Sequence, residues 1–245
     1  MSALSSDEIP PLVLLAGGLA TRLGPLTAGL PKSLLEVAGV PFIAHQLRLL
    51  ADQGVRDIVL SCGHLGDQIE SFVGDGTRFG CSVRYSFDGC RPLGTGGAIR
   101  KALPLMGRCF WVMYGDSYLT APFITVLDAF RSSDQPALMT VHANANRWDK
   151  SNVLFKDGKV LCYDKNGTKS GMQHIDYGLG LYTAEVFRPW SDGSSFDLAV
   201  VQRALVDREM MAGYLVTERF YEIGSLSGLR ETDSFLSERL RGVPA

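Results

Sequence analysis

The stretch that most constrains this chain is an apolar segment at 11–16 that leads directly into Gly17 and Gly18, with the cations Arg22 and Lys32 soon after. The apolar run predicts a fully buried strand, and the glycine pair predicts a sharp turn at its end. Because glycine has no Cβ, its backbone N–H groups can approach a polyanion closely, and the two cations supply positive charge. The segment is suited to binding a triphosphate, although a strand that ends in two glycines is also common in α/β proteins without a nucleotide.

Strand and helix patterns alternate after this turn. Apolar residues recur at helical spacing from Phe42, Gly54 is placed to end that helix, and a second buried strand is predicted at 57–61. A strand, a helix and another strand form a βαβ unit, which implies parallel strands and a right-handed crossover. Beyond residue 150 the pattern changes to a hairpin around Asp157 and Gly158. We therefore expect a single Rossmann-like, doubly wound α/β domain with a mostly parallel sheet and a small antiparallel insertion.

Two further segments are candidates for chemistry. Gly94, Thr95 and Gly96 form a second glycine-rich loop where a helix is predicted to begin, and helix N-termini offer unpaired N–H groups; an ordinary tight turn would have the same composition. Asp116 follows a strongly apolar strand at 109–114. Ligands bind at the carboxyl ends of parallel strands, so this carboxylate should face the same crevice as the first glycine turn. It suits Mg²⁺ there, or it caps the next helix.

Composition excludes several partners. The formal net charge is −2, which gives no basic field for nucleic acid, and the five cysteines are scattered without Cys-x-x-Cys spacing. The run at 11–16 follows Asp7 and Glu8 and is too short for a signal peptide or a membrane span. We expect a cytoplasmic enzyme with no membrane partner.

Taken together, the segments resemble the sugar-1-phosphate nucleotidylyltransferases. The family motif Leu-x-x-Gly-Gly-x-x-Thr-Arg-Leu-x-Pro-Leu-Thr is matched from Leu14, and its Pro-Lys-x-Leu continuation is matched from Pro31. The resemblance implies the nucleotide-diphospho-sugar transferase fold and Mg²⁺-assisted transfer of a nucleoside monophosphate from an NTP to a sugar 1-phosphate. The segments 74–80, 92–99 and 115–118 look most like heptose 1-phosphate guanylyltransferases, so GTP and a heptose or hexose 1-phosphate are the expected substrates. Cytidylyl or uridylyl transfer to another phosphorylated compound stays open.

The resemblance also implies roles for individual residues. The catalytic cations are Arg22, on the leaving pyrophosphate, and Lys32, on the transferred phosphoryl group. The expected nucleotide contacts are Leu15, Ala16, Gly17, Gly18, Gly94, Thr95 and Gly96. The expected sugar-phosphate contacts are Lys165, Asp176 and Gly178, and the expected metal ligands are Asp116 and Glu222.

Three positions depart from the family pattern. Asn166 stands where a proline usually follows the lysine of the sugar site, and Ser225 stands for a threonine. Glu222 replaces the aspartate that is the family's second metal ligand, and its extra methylene would change the geometry of an ion. Glu222 keeps a catalytically silent nucleotide-binding homologue open, although Arg22, Lys32 and Asp116 together argue against it. A glycosyltransferase is the less favoured rival, because Gly115-Asp116-Ser117 lacks an Asp-x-Asp pair.

The domain organisation follows from length and resemblance. A chain of 245 residues with 46% hydrophobic content can bury one full core. We expect a flexible leader at 1–10 and one domain at 11–245, with a nucleotide-binding part at about 11–145, a sugar-binding part at about 146–225 and a terminal helix at about 226–240. A long helix is predicted at 196–212, with Leu198, Val201, Leu205 and Met210 in the core, and Leu229, Leu236 and Leu240 should pack the terminal helix. A homodimer is compatible with this organisation.

Overall fold

The computed structural model describes residues 9–18, 23–24 and 29–242. Arg22 and most of the expected leader lie outside these residues. Within them, each predicted element of the first half of the chain is present with small shifts of its ends. The elements as far as residue 114 are, in chain order, β1 (Leu12–Leu15), β2 (Glu36–Val37), β3 (Val40–Pro41), α1 (Phe42–Asp52), β4 (Asp57–Cys62), α2 (Gly66–Val73), β5 (Ser82–Phe87), α3 (Gly94–Ala102) and β6 (Cys109–Tyr114).

The second half mixes short strands with three helices. Its elements are β7 (Ser117–Leu119), α4 (Phe123–Ser132), β8 (Ala137–Ala143), β9 (Val153–Lys156), β10 (Lys159–Tyr163), β11 (His174–Thr183), α5 (Leu198–Val206), β12 (Ala212–Val216), β13 (Phe220–Glu222) and α6 (Leu226–Leu240).

One nine-stranded sheet organises the molecule, in the order β5-β4-β1-β6-β11-β8-β12-β10-β9. β1 pairs in parallel with β4 on one side and with β6 on the other, and β5 continues the parallel half beyond β4. The register aligns Leu15 with Ser61 and with Tyr114, so the three strands end at the same edge. The loops that follow β1 and β6 therefore leave the sheet side by side.

The rest of the sheet is mixed. β11 lies antiparallel between β6 and β8, β12 is parallel to β8, and β9 and β10 form the predicted hairpin around Asp157 and Gly158. The pairing of β11 with β8 shifts register between Asp176 and Gly180. The predicted α/β architecture with an antiparallel insertion is confirmed.

The predicted helix at 196–212 is shorter than expected. Asp197 sets its start, because its Oδ1 accepts a hydrogen bond from the Ala199 N–H at 2.9 Å. After Val206 the chain turns, and the Met210 N–H bonds back to the Leu205 carbonyl at 2.8 Å. The residues beyond form β12, and Met210 is exposed rather than in the core. The prediction extended over 207–211, where Met210 and Met211 prolong the apolar pattern although the chain turns there.

Apolar side chains pack on both faces of the sheet and under α6. One cluster lies with α1, α2 and α4, and a second lies with α3 and α5. A third joins β2 and β7 to α6 through Leu236. Leu240, expected in this packing, is exposed, because α6 ends there beyond the cluster. Within the described part of the chain, no helix has the length and apolar character that crossing a membrane requires.

The cysteines behave as small, mostly buried side chains. Cys62, Cys81 and Cys109 are buried, and none of the five cysteines, all of which are described, is in a disulfide. Burial raises the pKa of the Cys62 and Cys109 thiols to about 12, which keeps them protonated and unreactive near neutral pH.

Candidate active site

A cavity of about 340 Å³ opens at the carboxyl ends of β1 and β6. It brings together parts of the chain that are far apart in sequence: the first glycine turn, the second glycine loop, Lys32 and Asp116. The residues that line it are Leu15, Ala16, Gly17, Gly18, Lys32, Ser33, Ser61, Asp88, Pro92, Gly94, Thr95, Ala98, Tyr114, Gly115 and Asp116. Eight of the residues singled out from the sequence are among them, namely Leu15, Ala16, Gly17, Gly18, Lys32, Gly94, Thr95 and Asp116.

The two glycines after β1 serve different purposes. A Cβ on Gly17 would lie 2.9 Å from the backbone nitrogen of Gly63, which follows β4, so the glycine lets two strand ends approach each other. Gly18 has no neighbour within 4 Å of such a Cβ and instead borders open space. The Ala16 N–H, just before them, bonds the Ser61 carbonyl at 2.8 Å. Gly17 is therefore required by packing, whereas Gly18 leaves room for a ligand.

Lys32 and Asp116 meet inside the cavity. Lys32 begins a short 3-10 turn that ends at Leu34, and its Nζ lies 2.7 Å from Asp116 Oδ2. Asp116 directly follows Gly115, whose N–H bonds the Leu15 carbonyl at 3.0 Å. A Cβ on Gly115 would lie 2.5 Å from that carbonyl oxygen, so β1 and β6 stay close only because this residue is glycine. The cavity therefore holds a cation that can contact a phosphate, and a carboxylate within a few ångströms of that cation.

The second glycine loop begins α3 as predicted. Gly94 has a φ of +69°, and a Cβ there would lie 2.6 Å from the Phe196 carbonyl oxygen. The Thr95 hydroxyl accepts a hydrogen bond from the Leu198 N–H at 2.8 Å, which ties the loop to the start of α5. Gly96 is not among the residues that line the cavity. Its N–H bonds the Phe196 carbonyl at 3.0 Å, and a Cβ would lie 2.3 Å from the Phe196 ring.

The structure also places residues in the cavity that the sequence did not single out. Asp88 follows β5, and its Oδ2 accepts the Leu93 N–H at 3.1 Å. Burial raises the pKa of the Asp88 carboxyl, and the Leu93 N–H acts in the opposite direction. Asp88 lies at the end of a strand, so the rule that pointed to Asp116 could also have identified Asp88. Ser33, Ser61 and Tyr114 line the cavity as well.

The three residues expected at the sugar phosphate lie beside this cavity and do not line it. The ammonium of Lys165 pairs with the carboxylate of Asp197. Asp176 Oδ1 accepts the Gly178 N–H at 3.0 Å, and its Oδ2 accepts from Gln202 Nε2 at 3.1 Å.

Gly178 faces the ring of a cavity residue. It has a φ of +93°, and a Cβ there would lie 3.3 Å from the Tyr114 ring. Because Tyr114 lines the cavity, Gly178 lies next to a residue of the cavity wall.

The backbone at Glu222 lies close in space to the backbone at Asp116. β13 pairs with β7 so that Glu222 is opposite Ser117, and the Ile223 N–H bonds the Asp116 carbonyl at 2.9 Å. The Glu222 carboxylate accepts hydrogen bonds from the Gly224 N–H and, at 2.6 Å, from the Ser225 hydroxyl. It thus lies at the N-terminus of α6, where negative charge is favourable.

Of the two metal ligands inferred from the sequence, Asp116 lines the cavity and Glu222 does not. Among the described residues, no group of three or more His, Cys, Asp or Glu side chains is arranged to hold a metal ion. Asp116 alone fits Mg²⁺, which in nucleotide enzymes commonly takes one or two carboxylates and completes its shell with substrate phosphates and water.

The fold and this cavity are those of a nucleotide-binding α/β enzyme. The family model described as nucleotidyl transferase matches residues 12–151. N-acetylmuramate alpha-1-phosphate uridylyltransferase of Neisseria meningitidis is 31% identical over 228 residues, which is 91% of this chain and 96% of that protein. UTP–glucose-1-phosphate uridylyltransferase of Synechocystis is 27% identical over 76% of this chain, which spans only about half (52%) of that longer relative. The chain belongs to the nucleotidyl transferase family, in the group of sugar-1-phosphate nucleotidylyltransferases.

Solved structures agree on the fold. HddC from Yersinia pseudotuberculosis complexed with GMP-PN superposes with a TM-score of 0.78 at 23% identity, covering 93% of this chain and 100% of that one. The inositol-1-phosphate CTP transferase from T. maritima gives a TM-score of 0.77 at 20% identity, covering 96% of this chain and 98% of that one. Members of the family generally depend on a divalent metal.

Proposed function

We propose that this protein transfers a nucleoside monophosphate from an NTP to a sugar 1-phosphate and releases pyrophosphate. The observation that carries the proposal is the single cavity that joins both glycine-rich loops to Lys32 and Asp116. The first turn offers backbone N–H groups and open space at Gly18, and Gly94 and Thr95 of the second loop line the same cavity. These are the features that a nucleoside triphosphate requires.

The reaction needs no protein nucleophile. The phosphate oxygen of the sugar 1-phosphate is already an anion, and it attacks the α-phosphorus in line while pyrophosphate leaves. Lys32 neutralises charge that develops on the transferred phosphoryl group, and we assign Arg22 to the leaving pyrophosphate. Asp116 would hold Mg²⁺, which supplies Lewis-acid polarisation of the phosphoryl oxygens when it is bound. Lys32 must then exchange its Asp116 partner for a phosphate oxygen.

The acceptor binds, in this proposal, on the side of β11 and α5. Lys165 contacts the phosphate of the sugar after leaving Asp197, and the two charges that separate are both partly exposed. An exposed pair of this kind costs little to open, since water screens it. Asp176 accepts hydrogen bonds from the acceptor, and Gly178 leaves the space beside Tyr114 that a side chain would fill.

For the nucleobase, we propose guanine. Asp88 is the second carboxylate on the cavity wall, and it accepts the Leu93 N–H directly before Gly94 and Thr95, two of the expected nucleotide contacts. An ionised carboxylate only accepts hydrogen bonds, so it favours a base edge that presents donors. Guanine presents an N–H and an amino group next to each other, whereas uracil presents one N–H between two carbonyl groups. Guanylyl transfer to a heptose or hexose 1-phosphate is therefore the first candidate.

A second candidate is uridylyl transfer to N-acetylmuramate 1-phosphate. The relative from Neisseria meningitidis that carries this activity in its name aligns with 91% of the chain and with 96% of its own length. No substrate assignment follows from the longer relatives, which include thymidylyl- and guanylyltransferases and which this chain covers only in part.

The test is pyrophosphate release by the purified protein with Mg²⁺. GTP, UTP, CTP, ATP and dTTP should each be combined with heptose, mannose, glucose and N-acetylmuramate 1-phosphates. We expect release with GTP and a heptose or hexose 1-phosphate; release only with UTP and N-acetylmuramate 1-phosphate would establish the second candidate. No release with any pair would contradict nucleotidylyl transfer to these acceptors, and calorimetry with each NTP would then identify a silent nucleotide-binding homologue. The homodimer stays a prediction.

A further inference from the structure

Gln46 is a buried polar residue that the proposed reaction does not use. It lies in α1, and its side chain is completely buried. Its Nε2 donates to the Ser117 carbonyl at 2.8 Å and to the Tyr114 carbonyl at 3.3 Å. These two carbonyls stand on either side of Gly115 and Asp116, so one amide group spans the segment that carries the carboxylate of the cavity.

Backbone contacts with neighbouring strands also hold this segment. The Gly115 N–H bonds the Leu15 carbonyl of β1 at 3.0 Å, and the Asp116 carbonyl accepts the Ile223 N–H at 2.9 Å. Gln46 is therefore a side chain through which α1 holds the backbone on both sides of Asp116, while Lys32 and the Ser117 hydroxyl contact the carboxylate itself.

The same helix contacts the Lys32 turn. The Phe42 N–H, at the start of α1, bonds the Leu35 carbonyl at 2.9 Å, and the Leu35 N–H closes the turn onto the Lys32 carbonyl at 3.0 Å. Phe42 and Gln46 are four residues apart and lie on the same face of the helix. One face of α1 thus contacts both segments that carry the Lys32–Asp116 pair.

A purely structural role is the alternative. Against it, Gln46 Oε1 is buried without a hydrogen-bond partner among the described residues, which is unfavourable. A methionine would fill similar space without an orphaned oxygen. The two donated hydrogen bonds are what a glutamine provides and a methionine does not.

We propose that Gln46 is a positioning residue that holds Asp116 in register with Lys32 for phosphoryl transfer. The inference rests on the proposed function, and it predicts that loss of the amide lowers turnover more than it weakens binding of the NTP. It also predicts local loosening of residues 114–118 in the absence of any substrate.

The experiment compares Gln46→Met with Gln53→Met. Gln53 directly follows α1, and its Oε1 accepts the Phe123 N–H at 3.3 Å, away from the cavity, so Gln53→Met removes a glutamine hydrogen bond at the end of the same helix without touching 114–118. In Gln46→Met we expect amide exchange in 114–118, followed by mass spectrometry, to be about tenfold faster. We expect kcat to fall about tenfold or more, with the KM for the NTP within about threefold of wild type. Exchange and kcat equal to those of Gln53→Met would overturn the proposal.

A double mutant separates positioning from general loosening. In an Asp116→Asn background, adding Gln46→Met should change kcat by less than about twofold, because both changes act through one carboxylate. A full additional loss would show that Gln46 acts elsewhere and would overturn the proposal.

Gln46→Glu covers the case in which Gln46→Met fails to fold. Burial raises the pKa of the introduced carboxyl, which can donate to the Ser117 carbonyl only while it is protonated. The kcat of this variant relative to wild type should therefore fall as pH rises, and a constant ratio would overturn the proposal. If the wild-type protein itself shows no turnover, the proposed function fails while amide exchange at 114–118 still decides the role of Gln46.

Discussion

The Nζ of Lys32 lies 2.7 Å from Oδ2 of Asp116, and this contact joins two segments that are 84 residues apart in the chain. Both groups are largely but not fully buried, with 16% of the lysine side chain and 29% of the aspartate side chain exposed. In the absence of substrate each charge neutralises the other, which lowers the cost of keeping both in a cavity. A phosphate that binds here can pair with the lysine, and the carboxylate can then bind a cation. The pair therefore marks the position of phosphoryl transfer in the proposed reaction.

Replacing Lys32 by alanine should remove most turnover while leaving the fold intact. We expect kcat to fall about 100-fold or more, because no other described cation lines the cavity to stabilise the transferred phosphoryl group. The free energy of unfolding should change by less than about 2 kcal/mol, since the pair is partly exposed. Steady-state pyrophosphate release and urea unfolding measure the two effects. Lys156→Ala, at an exposed lysine of β9, is the control, and equal kcat in the two variants would exclude Lys32 from the reaction.

The Mg²⁺ requirement should depend more on Asp116 than on Glu222. Asp116→Asn removes the carboxylate on the cavity wall, and we expect the Mg²⁺ concentration for half-maximal activity to rise about tenfold or more. Glu222→Gln should raise it less, since the wild-type carboxylate must first leave Gly224 and Ser225.

Glu222→Gln should also lower the free energy of unfolding by about 1 kcal/mol, because it removes a negative charge from the N-terminus of α6. Activity titrated with Mg²⁺ and thermal unfolding are the measurements. If the dependence of activity on Mg²⁺ is unchanged in Glu222→Gln, Glu222 acts only by stabilising the start of α6.

Replacing Asp88 by asparagine should change the choice of nucleotide. The variant keeps the size of the side chain and loses an acceptor-only group, so the KM for GTP should rise about tenfold while activity with UTP changes little. Asp134→Asn, at an exposed turn, is the control. The same KM for GTP in wild type and Asp88→Asn would remove Asp88 from base recognition and would favour the uridylyl candidate.

Asp176 should make stability depend on pH. Burial raises the pKa of its carboxyl above the ordinary 3.8, and the Gly178 N–H and the Gln202 amide oppose the shift in part. Because the folded state prefers the protonated acid, its stabilising contribution is complete below about pH 3.8 and is lost as pH rises through the raised pKa. Relative to Asp176→Asn, the wild type should therefore lose free energy of unfolding as pH rises above about 3.8. Urea unfolding of both proteins over that range is the check, and parallel profiles would contradict the shift.

Much of the cavity wall could be predicted from sequence because its signals are local. The apolar run before Gly17, the glycines before α3 and the position of Asp116 after β6 are each contained within a few residues. The rule that parallel strands end at one edge then brought them together correctly. The same rule, applied to the end of β5, would have included Asp88.

What could not be predicted depends on long-range contacts. Gln46 bonds a carbonyl 71 residues away, and Lys165 pairs with an aspartate 32 residues away; neither spacing carries a local signal. The end of α5 was misplaced because Met210 prolongs the apolar pattern beyond Val206, whereas the Met210 N–H bonds back to the Leu205 carbonyl and closes a turn there. Glu222 could be recognised as a departure, but its hydrogen bonds with Gly224 and Ser225 depend on how α6 begins.

Phe196 has a consequence for engineering new acceptors. Its carbonyl accepts the N–H groups of Gly96 and Gly97 at 3.0 and 3.2 Å, and its own N–H bonds the Leu93 carbonyl at 2.9 Å. The loop at 93–97 and the beginning of α5 are therefore joined residue to residue across some 100 positions of sequence. A chimera that takes its C-terminal half from a relative, to test the proposed acceptor site, cannot be divided at residue 146 alone. It must inherit residues 93–97 and 194–198 from the same parent, since the two segments form one recombination unit.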